Sequence, residues 1–202
     1  MKAFTFALVA ASMVAAPALA EPQVGKAAPN FKLNDVNGRV VSLSDFRGKT
    51  VVLEWNNPDC PFVKKHYGSG NMQRTQAAAK KDGVAWLSIN SSAEGKQGHM
   101  DGAKAKAVIA AQKAQPTAYL LDPKGVVGTG YGAKTTPHIY IVDPKGTLVY
   151  NGGIDDKPTP NPADINGARN HVLAALSELK AGKAVSVPES RPYGCNVKYK
   201  DS

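Results

Sequence analysis

Two residues of this 202-residue chain stand out as groups able to do covalent chemistry, Cys60 and Cys195. Cys60 follows the β-branched run Thr50-Val-Val-Leu-Glu-Trp55 and the breaker Asn56-Asn57-Pro58-Asp59, and it precedes Pro61, a residue suited to the first position of a helix. A thiol at such a strand-to-helix junction faces unpaired backbone N–H groups and the positive end of the helix dipole, which favour the nucleophilic thiolate. Lys64 and Lys65 in the first turn add to that field, and Asp59 opposes it. Two cysteines permit one internal pairing. Cys195 is therefore the candidate partner that resolves a sulfenic acid or a mixed disulfide formed on Cys60. The same pair also suits a permanent staple, since bridging residues 135 apart stabilises by about 5 kcal/mol in the chain-entropy account. A buried, inert thiol is a further reading of Cys60.

Four histidines raise the question of a metal. Cys60 and His66 are six residues apart, which turns a helix by about 600°, or about 240° net, away from a shared face. That pair is a poor chelate. His138 follows Pro137 and is a candidate base or ligand toward Cys60, set against the commoner role of a solvated or core-edge histidine. Trp55 and Trp86 fall in strand candidates and read as core rather than as a cofactor platform. Gly128-Thr-Gly130 and Gly132 read as a lone loop, because they lack the Gly-x-Gly-x-x-Gly spacing of a phosphate-binding turn. Neither a metal nor a bound cofactor is expected.

The elements that must position these groups alternate in type. Apolar runs flank Asn37-Gly38 within Phe31 to Leu43, which predicts an N-terminal β-hairpin. A buried strand over Thr50 to Trp55 leads to a helix from Pro61 to about Lys81, kinked or broken at Gly68 and Gly70. Further strands are predicted at Val84 to Ile89, Tyr119 to Leu121, His138 to Val142 and Thr147 to Tyr150, with helices over Asp101 to Ala114 and about Pro162 to Lys180. Asp122-Pro-Lys-Gly125 echoes Asp143-Pro-Lys-Gly146, but Pro second and Gly fourth is ordinary turn chemistry, so the echo marks two turns and no repeat. The stretch from Ala184 carries Pro188, Pro192 and Gly194 and is expected to be an irregular strap. Strands alternating with helices make an α/β domain.

Length bounds the rest: at roughly 100 to 200 residues per domain, one compact domain is expected. With 43% hydrophobic residues and 20% charged, the chain is not a disordered one. The net charge of +9 comes from scattered lysines without aromatic interleaving, so no nucleic-acid partner is expected. Residues 1–20 carry Lys2, an Ala-rich apolar run and Ala18-Leu19-Ala20, the pattern of an export signal cleaved after Ala20. That run is shorter than the roughly 20 apolar residues of a membrane span, and residue 21 is Glu rather than a lipid-bearing Cys, so no stable membrane anchor is expected. A periplasmic or secreted location follows, in which disulfides persist.

Val24-Gly-Lys-Ala-Ala-Pro-Asn-Phe31, Leu43-Ser-Asp-Phe-Arg-Gly-Lys49, Asp59-Cys-Pro-Phe-Val63 and Thr135-Thr-Pro-His-Ile-Tyr-Ile-Val-Asp143 follow one another as in thioredoxin-like redoxins. The chain resembles an exported member of the peroxiredoxin and redoxin superfamily, with a Pro-Tyr-Gly-Cys segment (Pro192 to Cys195) similar to that of a subgroup with a late cysteine. The resemblance implies a thioredoxin-like fold, a central mixed β-sheet flanked by helices. It divides the chain into a signal at 1–20, a redoxin domain at 21–183 and a tail at 184–202. It also implies that Cys60 is the attacking cysteine, that Pro137 is a cis proline beside it, and that the Thr136 backbone pairs with an extended substrate. Two departures stand out: Val63 occupies the position of a second local cysteine, and Leu53 and Asn57 replace the Pro and Thr of a peroxiredoxin motif. The expected activity is thiol oxidoreduction on a protein disulfide or a peroxide, with an external thiol as reductant. Two alternatives are a redox-inert binding domain with a structural Cys60 to Cys195 disulfide and a copper-handling protein using Cys60 with His138 or His66.

Overall fold

The computed structural model describes residues 21–200. The export signal expected over residues 1–20 lies outside the described residues. Within the described residues, no helix is long and apolar enough to cross a membrane.

The chain opens with the predicted hairpin, β1 (Lys32–Asp35) and β2 (Val40–Ser42), turning at Asn37 and Gly38. The Asp35 carboxylate stabilises that turn by accepting the backbone N–H groups of Asn37 and Arg39 at 2.8 and 2.9 Å. A short 3-10 turn (Leu43–Phe46) leads to β3 (Val51–Trp55), then α1 (Pro61–Gly68) and α2 (Asn71–Lys81). The break between the two helices falls at Ser69 and Gly70, where Gly70 takes a φ of 74°. Next come β4 (Ala85–Asn90), α3 (Gly102–Gln112), β5 (Ala118–Leu121), α4 (Val126–Gly130), β6 (Thr135–Thr136), β7 (His138–Val142), β8 (Leu148–Gly152), α5 (His171–Lys180) and β9 (Cys195–Asn196).

The main sheet runs β2-β1-β5-β4-β3-β7-β8 and is mixed, with β3, β4 and β5 mutually parallel and the outer pairings antiparallel. This is the thioredoxin-like architecture anticipated from sequence. Alternation along β3 divides the core in two. Val51, Leu53 and Trp55 pack with Leu87, Ile89, Tyr131 and Tyr140, whereas Val52 packs with Ile139 and Ile141 under α1, α2 and α5. Trp55 and Trp86 are core residues, as expected.

Three local expectations need correction. The last helix does not span Pro162 to Lys180: a 3-10 turn (Pro162–Ile165) ends before Gly167, whose φ of 85° interrupts helical backbone. The helix restarts after Asn170, whose side chain caps it by accepting the Leu173 N–H at 2.9 Å. Gly128 and Gly130 lie in the short helix α4 rather than in a loop, because the Asp122 carboxylate accepts the Gly128 N–H at 2.9 Å and holds that turn closed. The tail is irregular for most of its length, but Cys195 and Asn196 form β9 and pair antiparallel with β6 in a second, two-stranded sheet.

Candidate functional site

Cys60 is the residue at which β3 hands over to α1. It occupies the N-cap position, extended at φ −70° and ψ 127°, with Pro61 behind it as the first helical residue. Both sequence-predicted cysteines meet there. Cys195 Sγ lies 2.7 Å from Cys60 Sγ, and the Cys60 thiol also reaches the Thr136 carbonyl oxygen at 3.1 Å. The Thr136-Pro137 bond is cis, and Thr136 lies opposite Cys195 in the β6 and β9 register. All four residues singled out from sequence, Cys60, Cys195, Thr136 and Pro137, thus converge on one spot.

The two thiols differ in surroundings. Cys60 is 0% exposed, and Cys195 is half-buried. Burial pushes the Cys60 thiol up, but hydrogen bonds from the Cys195 thiol, the Val63 backbone N–H and the Thr136 side-chain hydroxyl reverse that and hold it below its ordinary value. Burial together with the neighbouring Cys60 sulfur pushes Cys195 up to about 12. Of the two thiols, Cys60 is therefore the one that ionises more readily.

The lysines expected to help do not act on the thiol. Lys64 is exposed, and Lys65 is buried with its ammonium turned away, donating to the Lys157 carbonyl at 2.7 Å and lying 3.8 Å from the Asp155 carboxylate. The lowering at Cys60 comes from neighbouring hydrogen-bond donors instead.

The two histidines considered as bases or ligands are spoken for. His138 makes contacts at both ring nitrogens, 2.8 Å to the Asn151 side chain and 3.2 Å from the Lys134 backbone N–H, and burial holds its pKa down at about 4. His66 lies 3.1 Å from the Tyr193 hydroxyl and 2.9 Å from the Asn71 amide, and burial likewise keeps it near 4. Both histidines thus spend their ring nitrogens on partners other than Cys60. Among the described residues, no group of three or more His, Cys, Asp or Glu gathers to hold a metal. Asn57, at the position of the peroxiredoxin threonine, is committed to its loop: it accepts the Asp59 N–H at 2.9 Å and donates to the Gln97 carbonyl at 3.3 Å.

Two parts of the site escaped sequence reasoning. Tyr193 anchors the tail two residues before Cys195. Its hydroxyl donates to Asp155, and its ring meets Phe62 edge to face at 5.9 Å and lies under the Lys65 ammonium at 5.5 Å. Glu54, fully buried in β3, accepts hydrogen bonds from Asn56 (2.9 Å), Tyr67 (2.9 Å), Trp86 (2.7 Å) and Ser88 (2.9 Å). Its bond from Tyr67 ties α1 to β3 and so fixes the helix that carries Cys60. Burial raises the Glu54 pKa against the pull of those donors. The sequence signal was a lone carboxylate in an otherwise apolar run.

Solved structures share this arrangement of elements. An uncharacterised conserved protein from Geobacillus kaustophilus is 30% identical over 89% of this chain and 94% of its own, with a TM-score of 0.74. A hypothetical protein from Sinorhizobium meliloti 1021 is 25% identical over 91% of this chain and 98% of its own, with a TM-score of 0.73. A putative thiol:disulfide interchange protein DsbE from Chlorobium tepidum is 27% identical over 65% of this chain and 85% of its own, with a TM-score of 0.53. No curated protein matches this sequence. Residues 24–151, from the segment before the hairpin into β8, match the family described as AhpC/TSA. With a matching profile over more than half its length and a redoxin fold beneath it, the chain belongs to the AhpC/TSA family.

Proposed function

We propose that this chain is an exported thiol oxidoreductase in which Cys60 is the nucleophile and Cys195 the resolving cysteine. On this reading the redoxin body spans residues 21–183, the tail 184–202 delivers the second thiol, and the protein works in a periplasmic or secreted setting where disulfides persist. The observation that carries the reading is the sulfur pair: two thiols 2.7 Å apart at a helix N-terminus, one held below its ordinary pKa and the other at about 12. Two sulfurs brought together in this way are placed to join as a disulfide.

The exchange then runs in two steps. The Cys60 thiolate attacks one sulfur of an acceptor disulfide, whose S–S bond breaks, and the other acceptor sulfur leaves as a thiolate that takes a proton from solvent. Cys195 gives up its proton and attacks the Cys60 sulfur, which forms the internal disulfide and expels the second acceptor thiol. The acceptor gains the two electrons and two protons that the pair loses, and an external thiol later returns the pair to its reduced form. With a peroxide, the Cys60 thiolate attacks one oxygen, the O–O bond breaks and the other oxygen leaves as water or an alcohol; condensation of the resulting sulfenic acid with the Cys195 thiol forms the disulfide and releases water. The commitment of Asn57 to its loop favours the disulfide acceptor. The likeness to a structure described as a putative thiol:disulfide interchange protein supports the same class of chemistry.

Cys195→Ser tests the assignment, because it removes the resolving thiol and leaves the attacking one. Mass spectrometry of this variant after exposure to a model disulfide should find an adduct on Cys60 that persists. Complete turnover without an accumulating adduct would show that Cys195 does not resolve.

A further inference from the structure

The redoxin resemblance implies that the backbone beside the cis proline, at Thr136, offers an edge to which an extended segment adds as a strand. In this protein that edge is taken. Thr136 lies opposite Cys195 and Thr135 opposite Asn196, and the Val197 N–H donates to the Lys134 carbonyl at 3.1 Å. Gly194 makes the fit possible: a Cβ there would stand 2.1 Å from the Thr136 carbonyl oxygen, at a φ of 140° that side chains rarely adopt.

The tail is fastened on both sides of Cys195. Upstream, Tyr193 is 8% exposed, with its hydroxyl donating to Asp155, and the Ser190 N–H donates to the Asn151 carbonyl at 3.1 Å. Downstream, Val197 is 3% exposed in the core, the Ala93 N–H donates to the Lys198 carbonyl at 2.8 Å, and the Tyr199 hydroxyl donates to Ala133 at 2.8 Å. Clearing the Thr136 edge means withdrawing buried side chains from two sides at once. Reaching the sulfur pair from solvent asks less, since Cys195 is only partly buried and its Sγ lies 2.7 Å from that of Cys60.

We infer that β9 is a built-in occupant of the polypeptide-pairing edge, so that the Cys60 and Cys195 couple exchanges with small, low-molecular-mass disulfides and rejects extended polypeptides while the tail is seated. This inference rests on the thiol-redox reading above. The small disulfide is consumed by the two-step exchange already described, leaving as two thiols while the pair becomes a disulfide.

The test compares two acceptors of matched sulfur chemistry on the reduced full chain: glutathione disulfide, and an extended cysteine peptide carrying the same glutathione adduct. Glutathione disulfide should oxidise the pair at least about tenfold faster, a ratio worth about 1.4 kcal/mol. Gly194→Ala, which drives a methyl into Thr136, and the milder Tyr193→Phe, which removes the bond to Asp155, should each narrow that ratio by speeding the peptide. Equal rates in the unaltered chain, or a ratio unmoved in both variants, would overturn this inference alone. If neither acceptor yields the Cys60 to Cys195 disulfide, the thiol-redox reading falls and this inference with it.

Discussion

Replacing Cys60 with serine lowers the rate of acceptor-disulfide reduction by at least about 1,000-fold, to background, since a hydroxyl at this position has no accessible anion to offer. The helix start remains intact, because the Cys60 carbonyl accepts the Lys64 N–H at 2.9 Å and a serine hydroxyl can accept the Val63 N–H in place of the sulfur. Loss of activity with an unchanged circular dichroism spectrum is therefore the expected pairing. The pH dependence of the unaltered chain carries the same signature. Only the thiolate attacks, so the rate falls as pH drops through the pKa of Cys60, which its hydrogen-bond donors hold below that of an ordinary cysteine. The midpoint of that acid limb should lie below the roughly 8.5 of a free cysteine. Retained activity in Cys60→Ser, or a midpoint at or above the free-cysteine value, would contradict the assignment of the nucleophile.

Glu54→Leu is expected to cost on the order of 5 kcal/mol of folding stability. Leucine fills a similar volume but accepts nothing, so the Trp86 indole N–H, the Ser88 hydroxyl, the Asn56 amide and the Tyr67 hydroxyl all lose their acceptor inside the core. Each orphaned buried donor costs about 1 to 3 kcal/mol, and the transfer gain of an apolar side chain offsets part of the sum. The Tyr67 hydroxyl loses its tie to β3 while still accepting from Gln76 at 3.2 Å, which loosens α1 against β3. Urea denaturation followed by tryptophan fluorescence measures the loss. A difference under about 1 kcal/mol would show that the carboxylate is dispensable to the core and that α1 is held by packing alone.

Those two residues mark where sequence reading succeeded and where it stopped. Cys60 was legible because its signals are local: a β-branched run, a breaker and Pro61 define a strand-to-helix junction within a dozen residues. The hairpin at Asn37-Gly38 was legible for the same reason. Pro137 and Thr136 needed the family resemblance, since nothing in the local sequence sets their place beside Cys60. Glu54 was read as part of a buried strand, but its donors come from Tyr67, Trp86 and Ser88, on elements that only the fold brings together. The two-residue strand β9 carries no period at all. Its place is set by Tyr193 and Val197, buried on either side, and by the missing side chain of Gly194. The same limit explains the broken last helix, where the hydrophobic pattern ran on through Gly167 while Asn170 supplied a new cap.

The central claim is that Cys60 and Cys195 form a working redox couple rather than a permanent staple. The clamped tail would suit either role, so the equilibrium itself must decide. Equilibrating the chain in graded thiol buffers, alkylating, and locating both cysteines by mass gives the reduction potential of the pair. A Cys60 to Cys195 disulfide that opens well above about −300 mV is the predicted result, and one that stays closed below that value would mark a structural bond and contradict the oxidoreductase reading.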